Sequence, residues 1–141
     1  MAFAADNTQQ WWEPGLPPPY FWPFAALHDL RLETYVEMFR SLEYRECARG
    51  HYEPGYDKIA IYGAGGVFKH VARQEPRVGW KSKLGGLEDI EHRTLGQLEV
   101  DQDYGRVVLY MRRRRQGWTW ISWVINPIAG AANRVFGPKV V

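Results

Sequence analysis

The chain has 141 residues, 45% apolar and 24% charged, which fits one globular domain and excludes a disordered, collagen-like or two-domain chain. A single cysteine excludes a disulfide scaffold and a cysteine-rich zinc site, and no N-terminal stretch is laid out as a signal peptide. Residues 1–103 carry 11 Lys/Arg against 16 Asp/Glu (−5), and residues 104–141 carry 7 Lys/Arg and no acid (+7), so the chain as a whole is not a basic nucleic-acid binder and only its last quarter suits an anionic surface.

In chain order, Met1–Asp6 reads MAFAAD, a helix already in progress with no capping residue ahead of it. Such a helix frays, or the natural chain begins further upstream. Residues 7–24 hold five prolines, with Trp11-Trp12-Glu13-Pro14 followed by Tyr20-Phe21-Trp22-Pro23. Proline at that density excludes a helix or central strand and gives an extended, aromatic loop strapped onto the domain, or a pre-extended ligand for a partner. Asp29 is placed to cap a helix over 30–42, where Leu32, Tyr35, Val36, Phe39 and Leu42 share one face. After the turn at Glu53-Pro54-Gly55, strands are expected over 58–62, 70–74 and 79–84, linked by short glycine-bearing turns that favour antiparallel pairing. A short helix starts at Thr94, and 106–111 is the last strand. The order predicts an α+β fold: a small antiparallel sheet of about four strands packed on N-terminal helices. Residues 1–112 form that domain. Residues 113–141 form a basic, Trp-rich tail whose apolar run is too short and interrupted to span a bilayer.

Several stretches together resemble a bacterial and phage domain family of unknown function. Its members read Asn-Cys-Ile-Ala-Trp-Ala, a Trp/Pro-rich loop, Gly-Tyr-Glu-Lys-Ile-Ala-Leu-Tyr, Thr-His-Ala-Ala-Arg-Gln, Ser-Lys-Leu-Gly and Asp-Ile-Glu-His. Here those stretches stand as MAFAAD, WWEP with YFWP, Gly55-Tyr56-Asp57-Lys58-Ile59-Ala60-Ile61-Tyr62, Lys69-His70-Val71-Ala72-Arg73-Gln74, Ser82-Lys83-Leu84-Gly85 and Asp89-Ile90-Glu91-His92. The layout is similar, more distantly, to papain-like cysteine hydrolases of the NlpC or amidase kind, which implies a papain-like core acting on amide or peptide bonds. The resemblance makes His70 the base and Ser82 the group that orients it, with a thiol at a helix N-terminus as nucleophile. That thiol would precede Met1, so the sequence as it stands is expected to be a truncated or inactive relative. Cys47 follows a helix instead of opening one, and reads as a small half-buried residue.

Each of these residues also has a plain structural reading. His70 is equally a satisfied strand histidine, and His92, after Asp89 and Glu91, a hydrogen-bonded structural one. His28 and His51 read as loop residues. No ligand pair has metal spacing, and Gly63-Ala64-Gly65-Gly66 lacks the Lys-Ser/Thr of a phosphate loop. No cofactor is expected. Arg112, Arg113, Arg114 and Arg115 form a solvated strand end, or a contact to a polyanion or an anionic membrane surface; the neighbouring Trp118, Trp120 and Trp123 favour a lipid or partner surface. The alternative to a hydrolase is a non-enzymatic binding module. It would hold a partner protein or a second copy through Trp11, Trp12, Lys83, His92, Arg112 and Arg113. The chain is expected to be cytoplasmic, with the tail able to hold it against a membrane.

Overall fold

The computed structural model describes Ala4, residues 29–83 and residues 89–115. The elements run α1 (Leu32–Ser41), β1 (Arg45–Cys47), β2 (Tyr56–Ala64), β3 (Val67–Glu75), β4 (Gly79–Lys83), β5 (Asp89–His92), α2 (Gly96–Glu99) and β6 (Arg106–Arg114). The strands form one antiparallel sheet in the order β1-β6-β2-β3-β4-β5. The described fold is therefore mostly β, with six strands where about four were expected and with two short helices. The two strands missed, β1 and β5, are the edges. At three and four residues each they are too short for period-2 alternation to register.

The expected Met1–Asp6 helix, the aromatic loop of 7–24 with Trp11 and Trp12, His28, Leu84-Gly85 and the tail beyond residue 115 lie outside the described residues, apart from Ala4. Ala4 is buried, and its carbonyl accepts a 3.2 Å hydrogen bond from the Tyr44 hydroxyl.

Helix α1 forms where the apolar spacing put it. Tyr35, Val36, Met38 and Phe39 are buried, with Leu32 and Leu42 packed at the margin. Asp29 is not its N-cap. Arg31 holds that position, and Asp29 reaches in from two residues earlier. Its carboxylate accepts from the Arg31 backbone N–H at 3.1 Å and from the Thr34 hydroxyl at 2.5 Å. The Thr34 bond is the largest cause holding the Asp29 carboxyl below its usual range.

The sheet has two covered faces. Against α1 lie Ile59, Ile61, Val71 and Met111. On the opposite face Ala60, Tyr62, Ala72 and Trp80 pack with Leu98 of α2 and with Tyr104. The hairpin between β2 and β3 closes on Gly65 (φ 55°) and Gly66 (φ 78°). Two successive left-handed residues in a two-residue link make the turn whose twist matches the strands, and glycine adopts them without strain.

Register shifts beside Tyr62 decide what faces where. Tyr62 pairs with His70 and Gly63 with Phe68, so Lys69 is an extra residue on β3. Ile61 pairs with Leu109 and Tyr62 with Val107, so Val108 is an extra residue on β6. A bulge breaks the alternation of faces. Phe68 therefore turns to the α1 face and stacks on Tyr35 with ring centroids 3.8 Å apart, while His70, still in regular alternation with Val71, faces α2 beside Tyr62 and Tyr104.

Candidate functional site: a histidine and serine row on the second sheet face

Cross-strand pairing builds this face in rows. One row runs Cys47, Tyr110, Ala60, Ala72, Ser82, Ile90. The next row on one side carries Val107, Tyr62 and His70, and the next on the other side carries Gln74, Trp80 and His92. Ser82 therefore stands diagonally between two histidines, within side-chain reach of either.

The hydrogen bonds go one way. Ser82 Oγ lies 2.9 Å from His92 Nε2, and His92 Nδ1 lies 2.9 Å from the Thr94 carbonyl oxygen. A carbonyl only accepts, so Nδ1 carries the proton. In the neutral imidazole Nε2 is then bare and the Ser82 hydroxyl donates to it. Ser82 is fully buried and His92 is 5% exposed. This chain fits the hydrogen-bonded structural reading of His92, and it spends the Ser82 proton away from His70.

His70 stands apart. It is 9% exposed, and its buried Nε2 finds no hydrogen-bond partner among the described residues. Burial is the largest cause that lowers its imidazole to about 4. The folded protein thus carries a neutral imidazole here down to mildly acidic pH. Its neighbours are rings: Tyr62 at 5.7 Å and Tyr104 at 5.2 Å between centroids, both edge-on. Tyr62 is itself anchored by its hydroxyl, which donates to the Leu95 carbonyl at 3.0 Å.

The lower half of the same face is closed by the segment between β1 and β2. Lys58 is 1% exposed, and its ammonium donates to the Arg49 carbonyl at 3.0 Å and the His51 carbonyl at 2.6 Å while pairing with Glu53 at 2.6 Å. Gln74 donates to the Gly50 carbonyl at 2.6 Å. His51 itself is exposed.

The remaining expected residues are structural in their contacts. Lys83 Nζ is 3.3 Å from Asp89, across the β4–β5 pair. Arg112 pairs with Glu53 at 2.5 Å, and Arg113 and Arg115 both pair with Asp57, at 3.4 and 2.9 Å. Arg114 is exposed, and the other three are half-buried. The arginine block is thus a strand end tied to two acids, not a uniformly solvated run. Cys47 is half-buried on edge strand β1. Among the described residues no group of three or more His, Cys, Asp and Glu is placed to hold a metal ion, and no helix is long and apolar enough to cross a membrane.

Sequence reasoning missed Tyr62, Tyr104, Thr94 and Lys58 as parts of this face. Thr94 acts through its carbonyl, which has no side-chain signature. Tyr62 sits in a stretch already singled out, but only the pairing of β2 with β3 sets it beside His70, and only the course of the α2–β6 link brings Tyr104 there.

The motif-bearing strands thus lie side by side: His70 on β3, Ser82 on β4 and Asp89-Ile90-Glu91-His92 as β5. Residues 1–112 match the domain family of unknown function DUF7689. The chain belongs to the DUF7689 family. The DUF7689 match ends within β6, which continues to Arg114. No curated protein and no solved structure matches the chain.

Proposed function

We propose that this DUF7689 domain is a histidine-centred hydrolase-type domain for amide or peptide bonds, related in layout to papain-like enzymes, with His70 as the base. The observation that supports it is the buried, neutral imidazole with an unpartnered Nε2. A buried polar atom left without a partner costs free energy and calls for an explanation, and a base waiting for a reacting group is one. Ser82 does not serve as the orienting group in this reading, because its proton is committed to His92.

The nucleophile in this reading is a cysteine thiol such as the resembled family carries in its Asn-Cys-Ile-Ala-Trp-Ala stretch. Cys47 does not replace it. Strands β6 and β2 intervene between β1 and β3, and three interstrand spacings come to about 14 Å. A polypeptide of residues 1–141, with Cys47 as its one thiol, is therefore expected to show no His70-dependent hydrolysis. A chain with Asn-Cys added before Met1 is expected to carry a thiol that iodoacetamide alkylates about tenfold faster at pH 7 than a free thiol, through a lowered thiol pKa. That excess should vanish in His70→Ala. Equal alkylation with and without His70 would remove the proposal.

A second reading, a binding module, is favoured by the exposed Arg45 and Arg114 at one end of the β1–β6 pair together with the seven positive charges of residues 104–141. Its expected result is co-sedimentation with anionic liposomes at low salt and release at high salt, as the Debye length shrinks. Equal non-binding at both salts, with a monomer in solution, would leave no support for that surface.

A further inference from the structure

We infer that Tyr104 is a positioning residue for His70: its ring, opposite Tyr62, fixes the imidazole and keeps water from it, in place of the polar third group that such sites ordinarily use. For its functional meaning this rests on the reading of His70 as the base.

A base imidazole needs its orientation set by something. In this chain no described side chain or carbonyl supplies a hydrogen bond at Nε2, and Ser82 is turned to His92. What touches His70 is aromatic. The Tyr104 ring meets it at 77° with centroids 5.2 Å apart, and the Tyr62 ring meets it at 61° and 5.7 Å. Edge-to-face contacts of this kind are directional, since a ring edge prefers the electron-rich face of its neighbour. Two of them, one from β2 and one from the α2–β6 link, hold a planar side chain without using Nε2, which stays available for one incoming group.

The position of Tyr104 is itself set by backbone geometry. Tyr104 N–H donates to the Asp101 carbonyl at 3.2 Å, and Gly105 follows at φ 70°. A Cβ at Gly105 would lie 2.6 Å from the Gly63 carbonyl oxygen, so the chain passes flat against β2 immediately beyond Tyr104. The backbone that carries the ring is thereby held close to β2. Tyr62, the opposite member, is held by Leu95. The titratable groups packed around His70 are Tyr62 on β2, Tyr104 on the α2–β6 link and His92 on β5, with Glu99 of α2 acting on Tyr62.

The test is a histidine-selective NMR titration of the chain as it stands, which reads the imidazole directly and does not require catalysis. Wild-type His70 is expected to titrate near 4. Tyr104→Phe keeps the ring and should leave that midpoint in place. Tyr104→Ala opens the site to water and should raise it by about one pH unit or more towards 6.5. Tyr104→Leu, which retains apolar bulk, is the companion variant: the midpoint should stay low while the His70 ring resonances broaden as the imidazole gains alternative orientations. The His92 resonances report that β4 and β5 remain paired in each variant. A His70 midpoint unmoved by Tyr104→Ala with His92 unchanged, or a shift in Tyr104→Phe as large as in Tyr104→Ala, would overturn the assignment. Should His70 behave as expected while the Cys-extended chain shows no His70-dependent alkylation, the positioning role stands and the hydrolase reading alone fails.

Discussion

Replacing Lys58 by Met is expected to lower the free energy of unfolding by about 3 kcal/mol, the scale for removing one partner from a buried ion pair. The methionine stem fills most of the same space, so the loss comes from the ammonium. Three acceptors depend on it: the Arg49 and His51 carbonyls and the Glu53 carboxylate. Glu53 retains Arg112, but the two carbonyls lose their bond to Lys58 on a face that Gly50 and Tyr110 otherwise close; a Cβ at Gly50 would meet the Tyr110 ring at 2.6 Å. The Lys58 bond is the largest cause that holds the Glu53 carboxyl below its ordinary range, and Arg112 adds to it. In Lys58→Met that carboxyl should move back up. Loosening should be local at first and greatest around residues 49–51, because the Arg112 bond to Glu53 and the Arg115 N–H bond to the Gly55 carbonyl still hold the end of the segment. The expected readouts are a lower chemical-denaturation midpoint and tryptic cleavage after Arg49 under conditions where the wild type is intact. A variant with unchanged midpoint and unchanged cleavage would show that Lys58 is not the anchor of this segment.

Substituting His70 by Phe is expected to do the opposite. The wild-type imidazole is held neutral by burial, at about 4 against an ordinary value of 6.5. As pH falls below 6.5 the unfolded chain takes up a proton that the folded chain refuses, so stability is full above 6.5 and is lost progressively down to about 4. The total from this one group is about 3 kcal/mol. His70→Phe should remove that part of the acid limb. At pH 7 it should also raise stability by about 1–2 kcal/mol, because a buried polar atom without a partner is replaced by an apolar ring between two aromatic rings. His70→Leu guards against a steric misfit of the larger ring. A residue that costs stability where a simple apolar one would add it is the signature of a side chain kept for something other than folding. Thermal melts of the three proteins from pH 4 to 8 decide it. If both variants melt below the wild type at pH 7 and keep its pH slope, His70 has a partner that stabilises it, and its claim to be the site's base weakens with it.

The arginine block shows what a one-dimensional pattern leaves out. Four consecutive arginines read as a solvated strand end, or as a contact to a polyanion or an anionic membrane. In space β2 runs antiparallel to β6, so Asp57 and Glu53, more than fifty residues earlier, arrive beside Arg112, Arg113 and Arg115. Charge runs on a strand are matched by whatever the neighbouring strand carries. Only Arg114 keeps the exposed character that the run suggested throughout.

Local patterning by itself determined the amphipathic helix, whose buried face is set by a 3/4 spacing of large apolar residues, and the long central strands, whose apolar runs and glycine turns are local signals. It also singled out His70, Ser82 and His92 as candidates, through the motifs in which they stand. The tertiary structure alone decided how those residues relate. Ordinary alternation along β3 puts His70 on the α2 face, but the extra residue Lys69 turns Phe68 to the α1 face, and period-2 reasoning has no means to anticipate an extra residue. The partner of Ser82 was settled by pairing β5 against β4, an edge strand too short to leave a pattern. Tyr104 reaches His70 through a link whose course depends on a glycine pressed against a carbonyl of another strand. Each of these is a contact between segments distant in sequence, fixed by close packing and register, and such contacts have no local signature for a sequence to display.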